Sequence, residues 1–307
     1  MRCRLGTRGS RLALVQSGAV ADALRALGAE VEIVPIRTSG DRLAQVALAD
    51  FGGKALFVKE IEEALLDGRV DIAVHSLKDM PAILPAGLTL GAFPPRHDPR
   101  DVLVTRAGGG LADLPAGSVV GTSSLRRRVL VLARRPDLSL APVRGNVDTR
   151  LSKLEQGDYD ALVMAKAGLD RLGLAPPHSV PLATDEFLPA VGQGILAVEV
   201  READREGLEL LRSVDDTRTR MEALAERSFL QRLGGGCHTP VAGHARVDAG
   251  AITLAGLVAS LDGRTVLRSS VSGPAGAAEA LGAKLAEELL ARGAASLLAA
   301  GGEGRPR

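Results

Sequence analysis

Cys237 directly follows three consecutive glycines (234–236), and the chain has only one other cysteine, Cys3. Glycine adopts backbone conformations that residues with side chains avoid, so this loop can present a thiol to a bulky group. A lone thiol presented in this way predicts a nucleophile or a covalent attachment point. The competing interpretation is a small buried residue in a glycine turn.

Arginines gather in three motifs at predicted junctions between strand and helix: TRGS (7–10), GTSSLRRR (121–128) and VRGNVDTR (143–150). An arginine in the first turn of a helix costs about 0.3–1 kcal/mol, because the helix dipole is positive there and favours anions. The planar arginine fork binds carboxylates and phosphates through paired hydrogen bonds. The motifs therefore predict a ligand with several such groups. Solvent-exposed arginines, and a Ser10 that only caps its helix, are the alternatives.

A fourth motif, HSLKDMP (75–81), follows another predicted strand and places Ser76, Lys78 and Asp79 at its end. Ligands of open α/β sheets collect at the carboxyl ends of strands, where the arginine motifs also lie. Asp79 would be the acidic group in a basic cleft, suited to general acid–base work or to stabilising a cationic intermediate. A structural salt bridge to Lys78 or to an arginine is the competing interpretation.

The overall composition limits the classes of partner. The net charge is +1 and tryptophan is absent, which argues against a nucleic-acid partner. No apolar run approaches the roughly 18 residues needed to cross a bilayer, and the first residues lack a secretory pattern. We expect a cytoplasmic monomer with no membrane partner. Cys237, His238 and His244 fit no usual zinc spacing, so no metal is expected.

The elements that must position these motifs follow an α/β pattern. Short apolar runs typical of buried strands alternate with segments of helical periodicity, which indicates largely parallel sheets. The pattern stops and restarts near residue 99, and a later strand at 194–200 is expected to return to the first unit. This predicts an α/β domain 1 at 1–95 plus about 194–213, and an α/β domain 2 at 99–190. Strands are predicted at 31–36, 71–77, 88–93, 101–106, 118–123, 138–143 and 159–165.

The character of the sequence changes after residue 216. A helical stretch (218–233) leads to the glycine loop, three alternating runs follow as an antiparallel meander, and an amphipathic helix ends at Gly293. We expect a smaller α+β domain 3 at 217–307, with a three-stranded antiparallel sheet and Cys237 near its start. The segment 38–55 is long for an ordered loop and predicts a lid over the cleft; a simple surface loop is the alternative.

Five motifs in this order, HSLKDMP, GTSSLRRR, VRGNVDTRLSKL, PAVGQG and LGGGC, resemble the porphobilinogen deaminase (hydroxymethylbilane synthase) family over nearly the whole chain. The resemblance implies two periplasmic-binding-protein-like α/β lobes plus the α+β domain. It implies a transferase of tetrapyrrole biosynthesis that condenses four porphobilinogen molecules into hydroxymethylbilane, with loss of ammonia each time. It also implies a dipyrromethane cofactor, built from substrate and joined by a thioether to Cys237.

The resemblance further assigns roles to individual residues. Asp79 is the expected catalytic carboxylate. The expected ligands of cofactor and product carboxylates are Lys78, Ser124, Arg126, Arg127, Arg144 and Arg150. The expected contacts of incoming substrate are Arg8, Ser10 and Arg171, joined by Lys54 and Phe57 of the mobile-loop region.

Two other functions stay open at this point. A non-catalytic two-lobed protein that binds polycarboxylates would explain the arginines but not Cys237 or Asp79. A cysteine hydrolase would explain Cys237, but the sequence shows no His–Asn/Asp partnership for it.

Overall fold

The structure is a computed structural model that describes residues 2–38, 58–236 and 239–303 of the chain, with side chains to residue 299. Within this part of the chain, two five-stranded sheets and one three-stranded sheet form three units. We call the two larger units lobe 1 and lobe 2, and the smaller one the C-terminal unit. The predicted fold class, α/β lobes followed by an antiparallel three-stranded sheet, is confirmed.

Lobe 1 is built around a sheet with the strand order β2-β1-β3-β10-β4. β2 and β3 both run parallel to β1, while β10 runs antiparallel to its neighbours β3 and β4. The buried face of α1 packs on this sheet through Val20, Ala21 and Leu24, which recur at helical spacing. The elements of lobe 1 are β1 (Arg2–Arg8), α1 (Arg11–Ala26), β2 (Glu30–Ile36), α2 (Lys59–Leu66), β3 (Ile72–Ser76), β4 (Leu88–Ala92), β10 (Leu196–Arg201) and α6 (Arg205–Leu211).

Lobe 2 repeats this arrangement with the strand order β7-β6-β8-β5-β9. β7 and β8 run parallel to β6, and β5 runs antiparallel to β8 and β9. Its core is mainly aliphatic, and every residue of β5 is buried. The elements are β5 (Asp101–Thr105), β6 (Val119–Gly121), α3 (Leu125–Leu132), β7 (Ser139–Ala141), α4 (Val147–Gln156), β8 (Ala161–Ala165), α5 (Lys166–Arg171) and β9 (Ser179–Pro181).

The chain crosses between the lobes twice, after β4 and again after β9, and the two crossings touch. The backbone N–H of His97 donates to the carbonyl of Gly194 at 3.1 Å. Gly194 has φ of +88°, and a β-carbon there would lie 2.4 Å from the carbonyl oxygen of His97. A residue with a side chain would therefore be strained in its backbone and would also collide with the other crossing.

The C-terminal unit packs against both lobes. Its elements are α7 (Thr217–Arg232), β11 (Val241–Asp248), β12 (Ala251–Ala259), β13 (Val266–Pro274), α8 (Ala278–Ala291) and α9 (Ala294–Glu303). Leu257 and Ala259 of β12 join the core of lobe 2, whereas Ala223 of α7 joins Leu77 and Met80 of lobe 1. The unit thus forms a common base for the two lobes.

A buried carboxylate in α7 ties this base to both crossings. Oε1 of Glu226 accepts from Nη1 of Arg96 in the first crossing at 2.7 Å. Oε2 of Glu226 accepts from the backbone N–H of Gly192 in the second crossing at 2.6 Å. Because Glu226 is fully buried and Arg96 nearly so, the pair holds three chain segments at one point.

Most predicted elements occur with shorter bounds than expected. The strand predicted at 118–123 spans only Val119–Gly121, because Ser124 caps the following helix. The strand predicted at 194–200 is β10, and it lies in the sheet of lobe 1 as expected. The edge strand β9 was not predicted: its three residues are all exposed and carry no buried-strand pattern. The limits of the three predicted domains stay a prediction.

Candidate active site

The carboxyl end of β3 supplies the acidic group of the site. The strand ends at Ser76, whose hydroxyl lies 3.1 Å from Nε2 of Gln16 in α1, and a 3-10 turn (Leu77–Asp79) follows. The turn leaves Asp79 exposed and Lys78 half-buried. Exclusion of water is the main cause that lowers the pKa of Lys78, to about 8; Asp79 and Asp101 oppose this shift, while Arg127 and Arg126 add to it.

The first turn of α3 carries two arginines of lobe 2. Ser124 caps this helix and accepts from the backbone N–H of Arg127 at 3.4 Å. Arg126 and Arg127 are both buried and share one carboxylate, that of Asp101 at the start of β5. The anion that the sequence argument required for these arginines is thus supplied, at least in part, by the chain itself.

Arg150 extends this group of charges from α4. Its Nε donates to the carbonyl of Gly145 at 2.9 Å. Burial is the main cause that lowers the pKa of Arg150, and the positive charge of Arg127 adds to it; Asp79 opposes the shift. Charges of lobe 1 and lobe 2 therefore act on each other. Arg144, half-buried, lies in the loop between β7 and α4.

Arg171 ends α5 and contacts the second crossing. Its Nη2 donates to the carbonyl of Gly194 at 2.8 Å, while its buried Nε has no hydrogen-bond partner in the described part of the chain. Burial lowers its pKa to about 10. A guanidinium that is desolvated and incompletely paired favours an incoming anion.

The first arginine motif lies where β1 meets α1. Arg8 is the last residue of β1 and is half-buried. Ser10 caps α1 and accepts from the backbone N–H of Ala13 at 3.3 Å, so the capping role considered from the sequence is present. Next to it, Nη1 of Arg11 lies 2.9 Å from Oδ1 of Asp148 in α4, an ion pair that joins the lobes.

The structure brings one compact set of charges together. Within it, Lys78, Arg126, Arg127 and Arg150 carry four positive charges, and Asp79 and Asp101 carry two negative ones, as their mutual electrostatic effects show. Four minus two leaves two positive charges at neutral pH. Such a set is suited to bind a ligand with at least two carboxylates.

Several residues predicted to belong to the site lie outside the part of the chain that the structure describes. Cys237, Lys54 and Phe57 lie outside the described residues, as does the predicted lid segment 38–55 beyond Thr38. Sequence reasoning also missed two residues, Asp101 and Gln193, that contact the arginines of α3 or their carboxylate. The only signal for Asp101 was an acidic residue at the start of a buried strand, and the only signal for Gln193 was the motif PAVGQG.

The described residues contain neither a metal-binding cluster nor a membrane-spanning helix. No group of three or more histidine, cysteine, aspartate or glutamate side chains there is arranged to hold a metal ion. No described helix has the length and apolar character needed to cross a membrane.

Two family models match the chain. The first, described as "Porphobilinogen deaminase, dipyromethane cofactor binding domain", covers residues 3–209. The second, "Porphobilinogen deaminase, C-terminal domain", covers residues 220–291.

Individual proteins match nearly end to end. Porphobilinogen deaminase of Syntrophotalea carbinolica is 52% identical over 299 residues, covering 97% of this chain and 95% of its own. The same enzyme of Desulforudis audaxviator is 53% identical over 299 residues, with 96% of each chain covered. Among solved structures, an ancestral cationic amino acid solute binding protein aligns with a TM-score of 0.43 and 17% identity, over 76% of this chain and 91% of that one.

Proposed function

The chain belongs to the porphobilinogen deaminase family, and from that premise we propose that the charges around Asp79 form its active site. It is a transferase of tetrapyrrole biosynthesis that condenses porphobilinogen stepwise to hydroxymethylbilane and takes a dipyrromethane cofactor. Family membership decides against the alternative of a non-catalytic anion-binding protein. What remains to be assigned is which residues perform each step.

The charged residues around Asp79 fit the cofactor. Each pyrrole ring carries an acetate and a propionate, and the set of charges described above has two positive charges in excess. Nε of Arg126 is buried with no hydrogen-bond partner among the described residues. A buried N–H group without an acceptor destabilises the folded protein, so a carboxylate that reached this group would be bound strongly. The cofactor ligands we assign are Lys78, Ser124, Arg126, Arg127, Arg144 and Arg150, with Cys237 as the covalent attachment point.

When bound, the dipyrromethane supplies the electron-rich pyrrole carbon at which condensation starts. The chain's own contribution begins with the substrate. We assign Arg8, Ser10 and Arg171 to the carboxylates of incoming porphobilinogen, with Lys54 and Phe57 beside them. Desolvation of Arg171 supports its part, because a guanidinium withheld from water gains more from a carboxylate than an exposed one does.

Asp79 carries the chemistry in this assignment. Loss of ammonia from porphobilinogen leaves an electron-poor methylene-pyrrole cation, and the exposed carboxylate of Asp79 can stabilise that charge. It can also accept the proton that the attacking ring must lose. Lys78, Arg127 and Arg150 lie within electrostatic reach of Asp79. The single observation that carries the proposal is this exposed carboxylate among buried and half-buried cations of both lobes.

Peptide mapping tests the assignment of the attachment point. Apoenzyme would be incubated with porphobilinogen, digested, and analysed by mass spectrometry. We expect the added mass of two pyrrole units on the peptide that contains Cys237. The same mass on the peptide with Cys3, or on no cysteine peptide, would contradict the assignment.

The remaining proposals rest on the sequence alone. We expect the enzyme to act as a monomer in the cytoplasm, without nucleic acid. Its net charge of +1 gives the molecule as a whole no strong electrostatic attraction for a polyanion. Sedimentation of the purified protein at several concentrations would test the monomer.

A further inference from the structure

Asp101 is the first residue of β5 and is completely buried. Its Oδ2 accepts from Nη1 of Arg126 at 2.7 Å, and its Oδ1 accepts from Nη2 of Arg126 at 3.2 Å. The same Oδ1 accepts from Nε of Arg127 at 2.9 Å and lies 2.8 Å from its Nη2. One carboxylate thus binds two guanidinium groups, each through two nitrogens.

Other contacts fix the two forks on their remaining sides. Nη1 of Arg126 also donates to the carbonyl of Leu188 at 2.9 Å, and Nη1 of Arg127 donates to that of Val163 at 2.9 Å. The second crossing takes part as well, because Nε2 of Gln193 donates to Oδ1 of Asp101 at 3.1 Å. Neither guanidinium can rotate without breaking a hydrogen bond to a buried carboxylate.

The contacts with Asp101 do not use every donor of the forks. A guanidinium has five N–H groups, and Nε of Arg126 has no hydrogen-bond partner among the described residues. Burial opposes ionisation of Asp101, but Arg126 and Arg127 outweigh it and lower its pKa to about 2. The carboxylate is therefore ionised throughout the working pH range, and it cancels one of the two arginine charges.

We propose that Asp101 is a positioning residue, which holds the forks of Arg126 and Arg127 in the orientation that receives the cofactor carboxylates. This inference rests on the assignment of both arginines to the cofactor. Asp101 itself need not touch the cofactor: it acts through the two side chains that do. In its absence the arginines would repel each other and lose the shared anchor that sets the angle between their planes.

Two substitutions separate positioning from simple neutralisation. Asp101→Glu keeps the negative charge but moves the carboxylate outward by one methylene group, so it preserves neutralisation and alters the geometry. Asp101→Asn removes the charge and keeps the size. Asp71→Asn is the matched control, because Asp71 also binds two arginines, Arg4 and Arg201, at the opposite end of the strands of lobe 1.

The measurement is cofactor loading. Each apoenzyme would be mixed with porphobilinogen, and the fraction of chain with increased mass would be followed over time by intact mass spectrometry. Thermal unfolding of each apoenzyme would report folding. We expect Asp101→Glu to fold and to load about tenfold or more slowly than wild type, since small displacements in a preorganised site have effects of this size or larger. Asp101→Asn should load more slowly still, and Asp71→Asn at the wild-type rate.

Wild-type loading by Asp101→Glu would overturn the inference, and this variant decides the matter even where Asp101→Asn does not fold. Arg127→Lys, measured in parallel, separates the positioning role of Asp101 from the assignment of the two arginines to the cofactor. Slow loading by Arg127→Lys with normal loading by Asp101→Glu would refute only the positioning role. Normal loading by both would refute the assignment of the arginines to the cofactor as well.

Discussion

Nε2 of His75 lies 3.0 Å from Oε2 of Glu199, and both side chains are buried between β3 and β10 of lobe 1. Glu62 of α2 approaches the same pair from the neighbouring helix, and Arg227 of α7 acts on Glu199 from the C-terminal unit. Burial is the main cause that raises the pKa of Glu62, to about 7; Glu199 adds to the shift and His75 opposes it. Lobe 1 thus contains a carboxyl group that is largely protonated in weakly acidic solution.

This raised pKa predicts a pH dependence of stability. Above the usual pKa of a glutamate, 4.5, the unfolded chain releases this proton while the folded chain keeps it up to about pH 7. The favourable contribution is complete below about pH 4.5 and is lost as the pH rises through 7. Glu62→Gln should therefore gain stability relative to wild type between pH 5 and 8, by about 1–3 kcal/mol at pH 8. Urea unfolding at several pH values would measure this, and a pH-independent difference would contradict it.

Cys237 should carry the cofactor and Cys3 should not. Cys3 is completely buried in β1, and burial, with Asp71 and Asp204, raises its pKa to about 12, so its thiolate is scarce. Cys237→Ser should give protein at the bare chain mass with no activity, whereas Cys3→Ser should load normally. Intact mass spectrometry of both variants after incubation with porphobilinogen checks this. Full attachment in Cys237→Ser would refute the assignment.

Asp79→Asn should block chemistry more than binding. The amide keeps the size of the side chain but neither stabilises a cation nor accepts a proton, so we expect turnover to fall by at least about 10²-fold. Asp158→Asn is the control, since Asp158 is also exposed but precedes β8 at the opposite end of a sheet. Porphobilinogen consumption and cofactor loading would be measured for both. Near-normal turnover of Asp79→Asn would mean that another carboxylate performs the reaction.

The cofactor arginines should require their planar forks as well as their charge. Arg126→Lys, Arg144→Lys and Arg150→Lys each keep the charge but lose paired hydrogen bonds, worth roughly 1.5–3 kcal/mol each. We expect all three to slow loading or elongation, and Arg126→Lys most, because its fork binds both oxygens of Asp101. Arg2→Lys, at an exposed position in β1, is the control. The prediction would be wrong if all three variants kept the wild-type rates and the wild-type distribution of enzyme-bound species. The arginines would then form only a solvated basic face.

The contact between the crossings should make Gly194 hard to replace. Gly194→Ala adds a β-carbon 2.4 Å from the carbonyl oxygen of His97 at a position with φ of +88°. Gly173→Ala isolates the backbone term, since Gly173 has φ of +65° and nothing within 4 Å of its β-carbon position. We expect a loss of about 1–2 kcal/mol for Gly173→Ala and at least about 3 kcal/mol for Gly194→Ala. If denaturant unfolding gave the same loss of stability for both variants, the predicted collision between the two crossings would contribute nothing, and the prediction would be wrong.

The sequence predicted elements with strong periodicity and missed those without it. Exposed and less exposed residues alternate along most of β13 and through the first half of β12, and α8 carries one apolar face, so both the meander and the helix were anticipated. β9 has three exposed residues and is recognisable as a strand only through its pairing with β5. A short edge strand is specified by its neighbour more than by its own residues.

For the site, motif order indicated which residues matter, but not how they are paired. Arg126 and Arg127 were predicted to bind an anion, yet Asp101 lies 25 residues earlier and belongs to a different element. No spacing rule links the two, because the contact exists only once β5 and α3 pack together. Asp79 and the arginines stay predictions as to their roles, since the geometry is consistent with them and does not test them.

The position of β10 between β3 and β4 has a consequence for synthesis on the ribosome. Four strands of the lobe 1 sheet are complete by residue 92, but the sheet cannot close until Arg201 has emerged. All five strands of the lobe 2 sheet lie within residues 101–181. The sheet of lobe 2 can therefore form first during synthesis, while β4 still lacks its neighbour β10. The route of the chain thus allows lobe 2 to complete its sheet before lobe 1 does, which is the opposite of the usual N-terminal-first order of domain folding during translation.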